Sequence, residues 1–209
     1  MRNLREVLAS FTDDDYNLGL VNLHIHTSFS DGEGSLEQIV ASAKEKKCKL
    51  ISITDHNTVD AHKKFKDDIL LTGVEFDCWY CGVYIHLLAY GVDVENSELA
   101  KFYAYNKKGT EAVLPRLFTN RNVKKLIESI HSAGGIAVLA HPACYWAISL
   151  EHFVKKLINI GLDGIEVYYP YPRFRSVVKF HSSNAVMKVA QKYPQLIRTG
   201  GTDFHGKSY

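Results

Sequence analysis

The chain has 209 residues, 46% of them hydrophobic, which suits one globular domain with a sizeable core. A formal charge of +2 gives no broad basic or acidic face for a nucleic-acid or membrane surface. No apolar run approaches the roughly 18 residues of a membrane helix, and residues 1–5 lack the apolar stretch of a signal peptide, so a cytoplasmic protein is expected, with no membrane attachment and no obligate protein partner.

In chain order, residues 19–25 read as a buried strand. After a loop ending at Gly34, Ser35 is an expected helix N-cap, and Gln38 completes a capping-box spacing. Leu36, Ile39, Val40 and Ala43 give that helix an apolar face of period 3.6. Residues 49–54 predict a second strand and 59–65 a helix. Strands follow over 69–74 and 83–90, separated by an aromatic stretch that holds Cys78 and Cys81. Two of the four cysteines thus form a lone C-x-x-C, read as reduced thiols beside a strand–strand turn. Residues 97–107 predict a helix, and Lys108-Gly109 and Pro115 break the pattern. A strong helix is expected over 122–133, ended by Gly134-Gly135. Residues 136–140 form a continuous apolar run, as in a buried parallel strand. A helix over 150–160, a strand over 164–168, a helix over 183–192 and a strand over 196–199 complete the chain. Alternating strands and helices predict an α/β fold with a parallel sheet.

Polar residues with metal-binding chemistry follow nearly every strand. The first strand ends in His24-Ile25-His26, with Asp31-Gly32 in the loop beyond. The second ends in Thr54-Asp55-His56 and the third at Glu75. The fourth contains His86, and the fifth runs into His141-Pro142. Asp203-Phe204-His205-Gly206 follows the last. Strand ends in a parallel barrel converge on one face, which is where barrel enzymes place their sites. Alternate residues of an extended segment share one side, so His24 with His26 can grip one ion or two neighbouring ions. Imidazole and carboxylate together suit Zn, Mn or Fe. Burying nine such groups together without cations would leave many polar atoms unpaired. The placement of these motifs favours a barrel over a doubly wound sheet.

These segments, with Gly73-Val74-Glu75, Ala140-His141-Pro142 and Gly200-Gly201-Thr202-Asp203, resemble the PHP (polymerase and histidinol phosphatase) superfamily. The likeness runs from about residue 21 to 206, including residues 127–140 and 164–168. It implies a distorted (β/α)7 TIM-like barrel and two or three divalent metal ions (Mn, Zn or Fe). It implies His24, His26, Glu75 and Asp203 around one ion, with Glu75 bridging to a second held by His86 and His141. Asp31, His56 and His205 would hold a third, and Asp55 would orient its neighbours.

Such a cluster points to hydrolysis of phosphate esters, because hydroxide bridging two cations is available near neutral pH. Glu75, Asp203 and His205 are the expected catalytic residues, His205 as a candidate proton donor to the leaving group. Arg173 and Arg175, which follow the sixth strand, are candidate phosphate contacts, and Arg198 lies nearby. Tyr168, Tyr169 and Tyr171 either pack around a proline-containing turn or stack on a base. The spacings most resemble the PHP phosphoesterases that act on nucleoside 3′,5′-bisphosphates and, from the 5′ end, on short RNA or DNA. The expected partner is therefore a small phosphorylated substrate or a short nucleic acid.

Three departures stand out. Residues 95–120 form only a short insertion where such relatives carry a fuller cap. Ala143-Cys144-Tyr145 stands where relatives often have a basic residue. The chain ends at Tyr209, soon after the last motif, as in a minimal or truncated single PHP domain over 1–209. The alternatives are a histidinol-phosphate phosphatase, a non-catalytic metal-binding PHP module, and a metal-dependent amidohydrolase.

Overall fold

The computed structural model describes residues 3–170 and 179–207. Seven strands form one sheet in chain order: β1 (Val21–Ile25), β2 (Leu50–Ile53), β3 (Leu70–Tyr80), β4 (Val83–Tyr90), β5 (Ile136–Leu139), β6 (Gly164–Tyr168) and β7 (Ile197–Gly200). The sheet curls until its edges meet. The His26 amide donates to the Phe204 carbonyl at 2.8 Å, and the Phe204 amide to the His24 carbonyl at 3.2 Å. The fold is the expected distorted (β/α)7 barrel, but the sheet is mixed rather than all-parallel. β4 runs antiparallel to both β3 and β5, while the other neighbours pair in parallel.

The cause is local. Cys81 and Gly82 alone connect β3 to β4, both with positive φ, at 50° and 76°. Two such residues make a tight hairpin, whereas a parallel return needs a dozen or more. β3 also runs to Tyr80, well past the predicted end at residue 74, because the aromatic stretch pairs along its length with β4 from Glu75↔Leu88 to Tyr80↔Val83. Cys78 is buried in that strand and Cys81 is exposed at the turn, both free.

Ten helices are described: α1 (Leu4–Ala9), α2 (Asp13–Asn17), α3 (Leu36–Glu45), α4 (Asp60–Lys64), α5 (Ser97–Ala100), α6 (Lys108–Glu111), α7 (Val113–Leu117), α8 (Val123–Ser132), α9 (Leu150–Ile158) and α10 (Ser183–Lys192). The Ser35–Gln38 capping box opens α3 as expected. Asn122 caps α8 by accepting from the Lys125 amide at 3.0 Å. Val123, Leu126, Ile127 and Ile130 form the buried stripe of α8, at the spacing an amphipathic helix requires. None of the described helices is long and apolar enough to cross a membrane.

The insertion departs from expectation. The helix predicted over 97–107 stops after Ala100, and at Ala104 the chain is pinned to the rim of the barrel, its amide donating to the Asn57 carbonyl at 2.8 Å. Pro115 does not end a helix. It is the third residue of α7, within the first turn, where a missing N–H costs nothing. α1 and α2 were not predicted; Thr12 and Asp15 form a capping box for α2 that the short five-residue helix conceals.

Two glycines permit the packing around the site. A Cβ on Gly201 would stand 2.3 Å from the His24 Cβ, and one on Gly32 would stand 2.5 Å from the His26 carbonyl carbon. No side chain fits at either place, so the loops carrying Asp31 and Asp203 can close against β1 only on glycine.

Candidate metal centre

Buried strand ends bring nine side chains from distant parts of the chain to one end of the barrel. His24 is the fourth residue of β1, and His26 follows its last. Alternation along the strand sends both rings inward. Glu75 reaches in from β3. His86 lies opposite Asp77 in the hairpin register, so it enters from the middle of β4 rather than from a C-terminal end. His141 follows β5, and Asp203 and His205 follow β7.

The contacts centre on Glu75. One of its oxygens lies 2.9 Å from His86 Nδ1, 3.3 Å from His24 Nε2 and 3.4 Å from His141 Nε2. The other lies 3.2 Å from His26 Nε2 and 3.4 Å from His56 Nδ1. Asp203 Oδ1 is 3.1 Å from His26 Nε2 and 3.5 Å from His24 Nε2. Asp31 is 3.2 Å from His205 Nε2, 3.5 Å from His26 Nδ1 and 3.7 Å from His56 Nε2. Three groups emerge: His24, His26, Glu75 and Asp203; Glu75, His86 and His141; and His26, Asp31, His56 and His205. Within each, the candidate ligand atoms lie within 4.8 Å of one another.

The donor set fits divalent cations. His24 Nε2, His26 Nε2, His56 Nδ1, His86 Nε2, His141 Nδ1 and Glu75 Oε1 are all buried and make no hydrogen bond. Buried polar atoms are normally satisfied, so this many unbonded atoms in one cluster mark a place built for a partner that accepts imidazole and carboxylate together.

Several residues beyond the nine expected ligands hold this set in place. Glu166 on β6 accepts from His24 Nδ1 at 3.1 Å and from the His141 amide at 2.7 Å. Asp77 on β3 lies 3.1 Å from His86 Nε2 and accepts from the Tyr84 hydroxyl at 2.5 Å, and Asn57 also donates to it. The Tyr169 hydroxyl donates to Asp203 at 2.8 Å. Asp55 sits where the sequence places it, accepting from the Thr27 amide at 2.7 Å and from the Thr27 and Ser30 hydroxyls at 2.6 Å. It ties the loop after β1 to the end of β2. His141, Asp203 and Asn57 adopt positive φ of 24°, 49° and 56°, strain that typically collects at functional sites.

The cation expected beside the centre comes from an unexpected place. Arg173, Arg175 and Tyr171 lie outside the described residues, and Arg198 is exposed on β7. Arg116, on α7 of the insertion, is instead 8% exposed, with Nη1 3.1 Å from Asp31 Oδ2 and Nε 3.9 Å from Asp77 Oδ1. A lone arginine in an irregular stretch carries no sequence signal for this. Tyr168 stacks on Tyr16, with ring centres 4.8 Å apart, which is the packing role.

The electrostatics follow from crowding. Burial pushes the His24 ring down, but Glu75, Glu166 and Asp203 outweigh it and hold His24 well above the ordinary histidine value. Against the same burial, Asp203 and Glu75 lift His26 to about 10, and Glu75 and Asp77 lift His86 to about 10. His141 rises to about 9. Burial wins at His56, which falls to about 3. Burial alone would raise Glu75 and Asp203, but the surrounding imidazoles hold both well below the carboxylate range.

In the metal-free protein these raised histidines contribute stability that is complete below about pH 6.5 and is lost as pH rises through about 9 to 10. Glu75 and Asp203 contribute stability above their ordinary values, lost only well into acid. A cation needs the rings neutral and must displace their protons. Zinc or manganese uptake is therefore expected to release protons at pH 7, with affinity rising from about pH 6 towards 9. Calorimetric titration in PIPES and in ACES, whose ionisation enthalpies differ, measures this; identical heats in the two buffers would contradict it.

Residues 22–199 match the family model described as PHP domain. The 5′-3′ exoribonuclease Rnm of Salmonella typhimurium is 26% identical over 161 residues, covering 73% of this chain and 53% of its own length. The chain thus spans about half the length of the curated exoribonucleases it matches. An uncharacterized protein of Methanocaldococcus jannaschii is 27% identical over 191 residues, covering 83% of this chain and 93% of its own. A crystal structure of a Bifidobacterium adolescentis protein, assigned as a metal-dependent phosphoesterase, shares the fold with a TM-score of 0.68 at 18% identity, covering 90% of this chain and 88% of its own. The family match spans most of the sequence, and the His, Asp and Glu groups gather at one end of the barrel: the chain belongs to the PHP-domain family.

Proposed function

We propose that the chain hydrolyses phosphate esters of nucleotides, such as nucleoside 3′,5′-bisphosphates or short oligonucleotides. His24, His26, Asp31, His56, Glu75, His86, His141, Asp203 and His205 would hold two or three divalent cations (Mn, Zn or Fe). The observation that carries this reading is the nest of buried, unbonded imidazole and carboxylate atoms shared among three groups through Glu75 and His26. Cations bound there would bring the pKa of water to about 7 and neutralise the charge of a phosphate.

The chain's own residues account for the rest. Glu75 and His26 belong to more than one group and set the spacing between them. Asp77 and Glu166 fix the His86 and His24 rings by an ion pair and a hydrogen bond, as the outer partners of metal ligands do, while Asp55 ties the loop that carries Asp31 to the end of β2. In the reaction, water oxygen bonds to phosphorus, the ester P–O bond breaks, and the leaving oxygen takes a proton. His205, part-exposed at the rim between Asp31 and the Asp203 carbonyl, would supply that proton with two cations bound, when it is not itself a ligand. The name of the exoribonuclease relatives supports a nucleotide substrate.

Arg116 supplies the cationic contact for a phosphate oxygen. Its Nε is buried and unbonded, and a charged hydrogen bond of this kind contributes about 1.5–3 kcal/mol. Arg116→Ala is expected to raise KM by roughly 10- to 100-fold, with kcat less affected and Lys only partly restoring it. Steady-state kinetics with the metal content measured alongside checks this; an unchanged KM would remove Arg116 from substrate binding.

The reading as a whole is tested by phosphate release from adenosine 3′,5′-bisphosphate and histidinol phosphate and by mononucleotide release from 5′-phosphorylated tetraadenylate, with Mn, Zn or Fe. Turnover of the bisphosphate and the tetranucleotide should exceed that of histidinol phosphate. No release from any ester by fully loaded protein would leave a metal-binding module.

A further inference from the structure

One face of the β3–β4 hairpin begins inside the metal centre and ends in solvent. On β3 the side chains sharing that face are Glu75, Asp77 and Trp79; on β4 they are His86 and Tyr84, with Trp79 paired opposite Tyr84. The rings form a continuous series. Tyr84 lies 5.2 Å from His86, Trp79 lies 5.4 Å from Tyr84, Trp146 lies 6.0 Å from Trp79, and Phe180 lies 6.4 Å from Trp146. The last three are 39%, 48% and 53% exposed, and Ile148 beside them is fully exposed. Large aromatic side chains gathered in solvent call for a partner.

Both indoles are held in place. Trp79 Nε1 donates to the Leu117 carbonyl at 2.7 Å, and Trp146 Nε1 to the Gly82 carbonyl at 3.2 Å. Their polar edges are thus satisfied by the protein, and their orientation is set before any ligand arrives. Beside Trp146 runs an open groove of about 500 Å³, and among its lining residues Lys156 is the charged one, with no carboxylate. Arg116 stands at the inner end of the same wall, on the helix whose Leu117 carbonyl holds Trp79.

We infer that this aromatic wall is a stacking platform for the bases of a single-stranded oligonucleotide whose terminal phosphate lies at the metal centre, with Lys156 facing the backbone phosphates. The inference rests on the phosphoesterase reading above and narrows its substrate from mononucleotides to short strands. Three features favour bases over a protein partner: the wall is continuous with the centre, its rings are pre-oriented, and the groove beside it carries Lys156 and no carboxylate. Base stacking on aromatic rings tolerates any sequence because every base has a π-face.

Trp79 and Trp146 are the chain's two tryptophans, so intrinsic tryptophan fluorescence reads the platform directly. The full chain is loaded with zinc and mixed in a stopped-flow instrument with 5′-phosphorylated tetraadenylate, with inorganic phosphate, or with p-nitrophenyl phosphate. Saturable quenching by the tetranucleotide and none by inorganic phosphate is expected. Trp146→Ala should raise the ratio of KM for the tetranucleotide to KM for p-nitrophenyl phosphate by roughly tenfold. Trp79→Phe, which keeps a ring but loses the bond to Leu117, should raise it less. Hydrolysis of p-nitrophenyl phosphate with no quenching and an unmoved ratio would overturn the platform and leave the phosphoesterase intact. Quenching with no hydrolysis of any ester would support the platform while removing the chemistry. A dimer that Trp146→Ala dissolves, in a protein whose fluorescence ignores the tetranucleotide, would assign the wall to a second copy and overturn the inference.

Discussion

Glu75→Gln is expected to abolish phosphate release, by at least about a thousandfold, while leaving the barrel folded. Glu75 is the carboxylate common to two of the three candidate cation groups, and its oxygens lie within 3.4 Å of five imidazoles. The amide has the same shape, so packing is retained. It carries no charge, and one oxygen becomes a donor facing rings that also need an acceptor or a cation. Metal content by mass spectrometry should fall by at least one ion per chain, and the circular dichroism of the variant should match the wild type. Retained activity with full metal content would remove Glu75 from the centre. The same variant in metal-free form should lower the raised histidine values, because Glu75 is among the groups lifting His24, His26, His86 and His141.

Metal loading should also change stability by a large amount. The metal-free centre crowds imidazoles against buried carboxylates, and six of its ligand-type atoms are left without hydrogen bonds. A ligand that binds only the folded state stabilises it by about 4 kcal/mol per site at a thousand times its dissociation constant. For a domain of this length each kcal/mol moves the melting temperature by about 2–4 °C. Two occupied sites therefore predict a rise on the order of 15–30 °C between chelated and loaded protein. Differential scanning calorimetry with and without a chelator measures it. A shift of a degree or two would mean that the side chains satisfy one another without cations.

How much of this was legible beforehand differs from residue to residue. His24-x-His26, Asp55-His56, His141-Pro142 and Asp203-x-His205 could be picked out because each is a short polar signature at the end of an apolar run. The barrel needs the run for its core and the polar end for its rim. The capping box at Ser35 and the stripe of α8 were equally visible, since both depend on neighbours three and four residues apart. Asp77 and Glu166 lie inside strands and look like ordinary polar positions. Only the pairing of β3 with β4, and of β5 with β6, shows what they face. Arg116 is the extreme case, a residue in a broken stretch whose partner Asp31 lies at the other side of the sequence.

Local chemistry determined most of the strands, the helices α3, α8, α9 and α10, and the set of imidazoles and carboxylates, because period and capping act over a few residues. Tertiary structure decided the rest: the reversal of β4, the choice of Arg116 as the buried cation, and the line of rings from His86 to Phe180. Those depend on which strands become neighbours when the sheet curls shut, and the burial that drives that closure is shared by the whole core rather than encoded in any one segment.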